Sequence, residues 1–479
     1  MKIEIRNFGP IDFLEFDLSK DLHLIYGENA IGKSYATYLL YCLIKNVKNK
    51  AIQRSYWNFT LEDESRFGDF YRKQLNRLKK SSKKEVDITT QFKELLRKEF
   101  DDLFVQNFQN SLLNSFSSLK NLKNRYSNSN YSILLRFDNG FDLGFISDDE
   151  GMLNVEVLND FLPISIVEKN TKSTKFSLLV DGKKRFGKAN EEAFGREFYY
   201  FFVQQINYLL ELLDNNTRDV YYLPASRSGL YQALNAFTPI IAELTQNRFF
   251  IQNKSIELPS LPEPLSDYFI DLSTVNNKNV NKEFSDIVSV IQKNILKGEV
   301  SYDDKKKQIL FNPSNLKLSL NLAESSSMVA EISPIVVYLK HILNYKYSSN
   351  RGRDTNFFDP YYSRSKRKEK GYDILFIEEP EAHLHPEVQV LLMEIFTKLV
   401  KSKVKIFITS HSNYMFNKIN NIILKDAIDV KKLTVYHLVH KDLGTKQNLD
   451  MIASDEGIMD ENFQSTSEKL YNERMEILD

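Results

Sequence analysis

At 479 residues the chain exceeds what one ordinary hydrophobic core organises, so two lobes or one domain carrying a large insertion are expected. Lys plus Arg equals Asp plus Glu at 64 each, so no whole-chain field draws the protein toward nucleic acid or an anionic membrane, and any such binding needs a local patch. The single Cys42 excludes an internal disulfide framework and fits a reducing compartment.

The N-terminus, MKIEIRNFGPIDFLEF, alternates like a strand and lacks the layout of a signal peptide. No apolar run reaches the roughly 18 residues that span a bilayer, so a cytosolic protein without a membrane partner is expected. Residues 2 to 26 read as three short strands, with turns at Gly9-Pro10 and around Ser19 to Asp21. The loop Gly27 to Ser34 follows, and Tyr35 to Lys45 is apolar enough for a buried helix. From about 57 to 128 the pattern is helical and charged, consistent with an inserted helical lobe. Residues 131 to 185 alternate with turn signals and predict a small antiparallel sheet, and a long helix from Glu191 to Leu213 leads to the strand, turn and helix of DVYYLPASRSGLYQAL. In the last third, strands and helices alternate: a hairpin-rich stretch GEVSYDDKKKQILFN, a helix SSSMVAEISPIVVYLKHIL, a buried strand YDILFIEE, a helix PEVQVLLMEIFTKLV, then strands VKIFITSHS and LTVYHLVH. This alternation implies a mostly parallel sheet flanked by helices. The stretch from 345 to 370 is basic and aperiodic, as solvated loops are.

Gly27-Glu28-Asn29-Ala30-Ile31-Gly32-Lys33-Ser34 fits GxxxxGK[ST] between a strand and a helix, the context of a phosphate-binding loop. Loop and first-turn N–H groups, up to Tyr35, would face the phosphates where the helix dipole favours negative charge. Lys33 would add a point charge on the β- and γ-phosphates, and Ser34 its hydroxyl to Mg²⁺. In ILFIEEPEAHLHP two carboxylates emerge at the end of an apolar strand, where parallel sheets bind ligands. Glu378 would take the Mg²⁺ position and Glu379 would act as general base or water-positioning group. His411 ends the next expected strand and could sense the γ-phosphate. His383 and His385 are spaced by two but lack further His or Cys ligands nearby for zinc.

Together these residues resemble an ABC-type ATPase head of the OLD, RecF and SMC kind, the prokaryotic AAA-family ATPases: NFGPI, GENxxGKS, a long insertion, YLPASRSGL, an SS-containing signature, FIEEPEAHLHP and ITSHS. The resemblance covers roughly residues 1 to 45 and 218 to 440. It implies an α/β P-loop NTPase head, with a mixed or parallel sheet flanked by helices and an antiparallel β-subdomain. Residues 1–50 would form the N-terminal half, 51–215 the inserted lobe with its small sheet, and 216–479 the C-terminal half.

The resemblance also implies that ATP lies between two heads, with Ser326 and Ser327 of one contacting nucleotide on the other, so that the chain pairs with itself or forms a larger assembly. Ala30 replaces a glycine common in relatives without expected consequence; Met328, where relatives usually have glycine, bears on close backbone approach at the signature, and Glu378 is longer than the commoner Asp, so slow or stimulus-dependent hydrolysis is expected. Ser226, Arg227 and Ser228 could contact phosphate, the partner head or an activating ligand, or form a structural turn with a solvated arginine. Only about forty residues follow LTVYHLVH, too few for the TOPRIM nuclease of OLD-type relatives. The expected role is thus a sensor or regulatory subunit of an anti-phage, abortive-infection type system that controls a separate nuclease or toxin. The alternative, a RecF-like DNA clamp, requires a basic surface, with Lys79, Lys80, Lys83, Lys84, Arg364, Lys366, Arg367 and Lys368 as candidates. A transporter ATPase fits less well, because the insertion is long and no membrane-docking feature is evident.

Overall fold

The computed structural model describes residues 1–48, 65–157, 162–170, 174–214, 217–233, 261–277, 280–343, 371–448, 453–459 and 463–478. The basic stretch from 345 to 370, with Arg364, Lys366, Arg367 and Lys368, lies outside them.

Three strands open the chain as its alternation predicts: β1 (Lys2–Phe8), β2 (Ile11–Asp17) and β3 (Leu22–Gly27). The helix Lys33–Lys48 follows the glycine loop and starts two residues before the expected boundary. Helices Arg66–Lys80, Thr89–Phe100 and Gln106–Phe116, with the short strand β4 (Glu85–Asp87), make the helical insertion. Next come β5 (Ser132–Arg136), β6 (Asp142–Ser147), β7 (Leu153–Val157), β8 (Ile164–Asn170), β9 (Thr174–Val180) and β10 (Lys183–Ala189), then the helix Glu191–Asp214. The last part holds β11 (Thr217–Leu223), β12 (Gly298–Asp303), β13 (Gln308–Pro313), β14 (Leu320–Asn321), β15 (Tyr372–Glu378), β16 (Val404–Thr409), β17 (Leu433–Lys441) and β18 (Gly444–Asn448).

One 11-stranded sheet dominates, in the order β11-β15-β16-β3-β17-β18-β2-β1-β5-β6-β7. From β11 to β17 all neighbours run parallel, and from β2 to β7 all run antiparallel. The architecture is α/β, a mixed sheet flanked by helices. The expectation of one small antiparallel sheet over 131–185 is corrected here. Strands β5 to β7 extend the main sheet through β1, while only β8 to β10 form a separate sheet, with β4 at its edge. The sequence alternation is the same in both cases, because period two reports a strand with two different faces and not the sheet it joins.

Side chains of the parallel strands alternate between two cores. Leu24, Leu375, Ile377, Ile406 and Ile408 face one; Ile25, Phe376 and Phe407 face the other, which also takes in the P-loop helix and the insertion. Phe8 and Tyr38 both contact the Phe116 ring, and Cys42 Sγ lies 3.2 Å from Ser115 Oγ, so the insertion packs directly on the head. Strands covered on both faces leave only their ends accessible, which places β3, β15 and β16 with their carboxyl ends side by side.

Candidate functional site

β3 ends at Gly27, whose φ is +144° and where a Cβ would stand 2.6 Å from the Leu438 carbonyl oxygen on β17. Gly32, at φ +101°, would likewise place a Cβ 2.8 Å from Pro10 Cγ. The loop is therefore wedged between β17 and the Gly9-Pro10 turn, and only glycine fits both contact points. Thr445 Oγ1 donates to the Ile31 carbonyl at 2.6 Å and closes the same wall. Glu28, Asn29 and Ala30 are exposed at the crest, with Ala30 at φ +59°, a left-handed conformation that costs a side-chain-bearing residue about 1–2 kcal/mol.

Lys33 is buried, and its Nζ donates to the carbonyls of Gly27 at 2.9 Å and Glu28 at 2.7 Å. Burial pushes its pKa down to about 8, opposed by the nearby charges of Glu379, Glu381 and Glu378. Ser34 is exposed at the helix start, and its side chain hydrogen-bonds that of Glu378. Tyr35 turns away from this point, its hydroxyl accepting from Arg125, whose guanidinium lies 5.1 Å from the Tyr35 ring centre.

Glu378 closes β15 in a buried position, and burial raises its pKa above the usual carboxylate range against the pull of hydrogen bonds from Ser34, Tyr222 and the Ala225 backbone. Its Oε1 has no hydrogen-bond partner. A buried carboxylate oxygen left unpartnered is costly, and a cation would satisfy it. The Ser34 hydroxyl beside it makes the pair suited to a hard divalent ion. Among the described residues no group of three His, Cys, Asp or Glu side chains is placed to hold a metal, so the remaining ligands of such an ion would be phosphate and water oxygens. His385 caps the helix Pro386–Lys401, its Nδ1 accepting from the Glu387 N–H.

Glu379 sits just past the strand at φ +41°, its side chain roughly half exposed. His411 Nε2 lies 3.9 Å from Glu379 Oε1. Burial and the Lys33 charge lower the His411 pKa and outweigh Glu379, so the imidazole is neutral near pH 7. The structure thus brings Lys33, Ser34, Glu378, Glu379 and His411 together from three neighbouring strand ends. Ser326 and Ser327 lie elsewhere, exposed at the start of the helix Ser327–Val337, where the Ser326 side chain accepts from Val329 N–H as N-cap.

Three further residues, Glu381, Arg227 and Glu331, belong to the frame of the site. Glu381 is largely buried, and its Oε1 accepts from Ser410 Oγ at 2.9 Å and from the His411 N–H at 2.5 Å, fixing the backbone that presents the imidazole. Arg227 is fully buried, which corrects both expectations for it, a solvated side chain and a contact to phosphate or a partner. It pairs with Glu331 of the signature helix at 3.2 Å, also fully buried. A lone carboxylate in the apolar run MVAEISPIVV was a legible signal, because a buried charge needs a partner.

A family model described as "AAA ATPase domain" matches residues 1–416. The chain belongs to the AAA ATPase domain family. The matched span includes the glycine loop, Glu378 and Glu379. A curated relative, Protein SEY1 homolog 2 of Entamoeba histolytica, is 31% identical over 110 residues, 23% of this chain and 12% of that protein, so the chain spans about an eighth of its length. An SMC head bound to the C-winged helix domain of ScpA aligns at 11% identity and TM-score 0.37, covering 93% of this chain and 96% of that one. The SMC head domain from Thermotoga maritima aligns at 9% identity and TM-score 0.34, covering 93% and 97%. No helix among the described residues of this AAA-family chain is long and apolar enough to cross a membrane.

Proposed function

We propose that this AAA-family chain binds ATP with Mg²⁺ and hydrolyses it at the shared end of β3, β15 and β16. The observation that carries the reading is the buried Glu378, its Oε1 unpartnered and its carboxylate bonded to Ser34 at the end of the phosphate loop. Bound Mg²⁺ would supply charge neutralisation at the β- and γ-phosphates. Lys33 exchanges the Gly27 and Glu28 carbonyls for phosphate oxygens, and the helix N-terminus adds N–H donors. Glu379, half exposed, takes the proton of the attacking water or orients it. The neutral His411 imidazole beside Glu379 donates toward the γ-phosphate.

Glu379→Gln tests the assignment: nucleotide affinity stays at the wild-type level while turnover falls about 10²–10⁴-fold, as for loss of a general base. Wild-type turnover in that variant removes Glu379 from the chemistry. The motif likeness supports a second element, two heads closing on ATP through the exposed Ser326 and Ser327. Ser327→Arg is then expected to abolish ATP-dependent pairing in sedimentation while single chains still bind nucleotide; unchanged pairing and hydrolysis argue against a site completed in trans.

For the output of the cycle, the same likeness supports a regulatory switch acting on a separate effector, of the anti-phage type. A DNA clamp draws less support from the described basic residues: Lys79 pairs with Glu191 and Lys84 with Glu168, which leaves Lys80 and Lys83 of that group. Duplex-DNA binding with a steep salt dependence would reverse that preference.

A further inference from the structure

β11 pairs with β15 only as far as Leu223 opposite Ile377, so the carbonyls of Glu378 and Glu379 extend beyond the strand that satisfied their predecessors. The chain supplies a side chain in its place. Arg227 Nη1 donates to the Glu378 carbonyl at 2.9 Å and to that of Pro224 at 2.9 Å, and Nη2 reaches the Glu379 carbonyl at 3.4 Å. On its other side Nε donates to the Glu331 carbonyl at 3.1 Å, and the guanidinium pairs with the Glu331 carboxylate. Glu331 Oε1 in turn accepts from the Ser228 N–H at 3.2 Å and hydroxyl at 2.6 Å.

Glu379 needs such restraint. Its φ of +41° is a conformation that a residue with a side chain keeps only when its surroundings enforce it. The Glu379 N–H is held by the Thr409 carbonyl at 2.9 Å, at the end of β16. Its carbonyl is held by the Ala382 N–H at 3.1 Å and by Arg227. A planar, permanently charged fork with five donors suits a cluster of carbonyls that no single N–H could serve.

We infer that Arg227 is a positioning residue for the hydrolytic step: its buried guanidinium joins Glu331 of the signature helix to the carbonyls of Glu378 and Glu379, and so sets the backbone that aims the Glu379 carboxylate. The inference rests on the role proposed above for Glu379. Glu331 lies one turn after Ser327, so any displacement of that helix reaches the Glu379 backbone through one side chain.

The test separates aim from fold. Arg227→Met/Glu331→Gln removes both charges together, avoiding a lone buried ion, while the glutamine oxygen still accepts from Ser228. Measured on the full chain, the pair is expected to retain a cooperative thermal transition and to bind the non-hydrolysable analogue adenylyl imidodiphosphate within about threefold of wild type. Its kcat is expected to fall about 100-fold, the scale of a misplaced reacting group. A folded double variant with wild-type kcat overturns the inference, as does one whose kcat loss is matched by the loss of analogue affinity. Should that pair not fold, Arg227→Lys keeps the charge and loses the fork; the same split, a lower kcat at unchanged analogue affinity, is expected, and wild-type kcat overturns the inference equally. If wild type binds the analogue but never turns ATP over, the ATPase reading itself fails and the inference falls with it.

Discussion

Strands β15 and β16 are buried along their length apart from Tyr372 at the entry of β15, whereas β7 alternates buried and exposed through Leu153, Asn154, Val155, Glu156 and Val157. The first pattern belongs to strands with helices on both faces, the second to a strand with one face in water. The difference separates two jobs within one sheet. Along β3, β15 and β16 the accessible surface of the described residues lies at the strand ends, and there Lys33, Glu378, Glu379 and His411 converge. In the antiparallel half accessible side chains are spread along the strands, and apart from the Gly9-Pro10 turn that walls Gly32, its contribution is apolar packing beneath the insertion.

The sharpest test of that division is a core change far from the loop. Phe145 on β6 is fully buried and meets the rings of Phe104 and Phe108 at 5.7 Å each. Phe145→Ala should cost about 3–5 kcal/mol of stability in urea titrations and leave the ATP affinity of the folded protein unchanged. A loss of affinity comparable to that of a loop variant would erase the distinction. Lys33→Ala should do the reverse, lowering ATP affinity about 100-fold, roughly 2.7 kcal/mol by calorimetry, without loss of stability. Stability should hold because burial already disfavours the charged Lys33 side chain.

A smaller effect sharpens the same point. With the free-state pKa of Lys33 near 8, and the triphosphate raising it on binding, complex formation takes up a proton at higher pH. Wild-type ATP affinity should therefore fall above about pH 8, by at most about tenfold per pH unit, and Lys33→Ala should lack that slope.

How far each region could be read from sequence follows the same divide. The loop 27–34 and the strand before Glu378 were legible because glycine at fixed offsets and a continuous apolar run are local signals. The hairpins of β5 to β7 were legible as strands, yet their membership in the main sheet was not, since the partner of β5 is β1, more than a hundred residues away. Arg227 is hard to place from sequence for a related reason: a charged residue in a turn defaults to solvent, and its pairing with Glu331, far along the chain, makes burial possible. Glu381 is inconspicuous in sequence beside Glu378 and Glu379, and its contacts to Ser410 and His411 again come from beyond another strand.

The hairpin of β17 and β18 separates β3 from β2, two strands that are neighbours in sequence. During synthesis, therefore, the phosphate loop emerges long before the strands that complete it: Leu438 walls Gly27, and Thr445, 414 residues after Ile31, grips the Ile31 carbonyl. Nascent chains interrupted before residue 433 would carry the whole nucleotide motif and still expose two unpaired strand edges, making them clients for chaperones and not ATP binders.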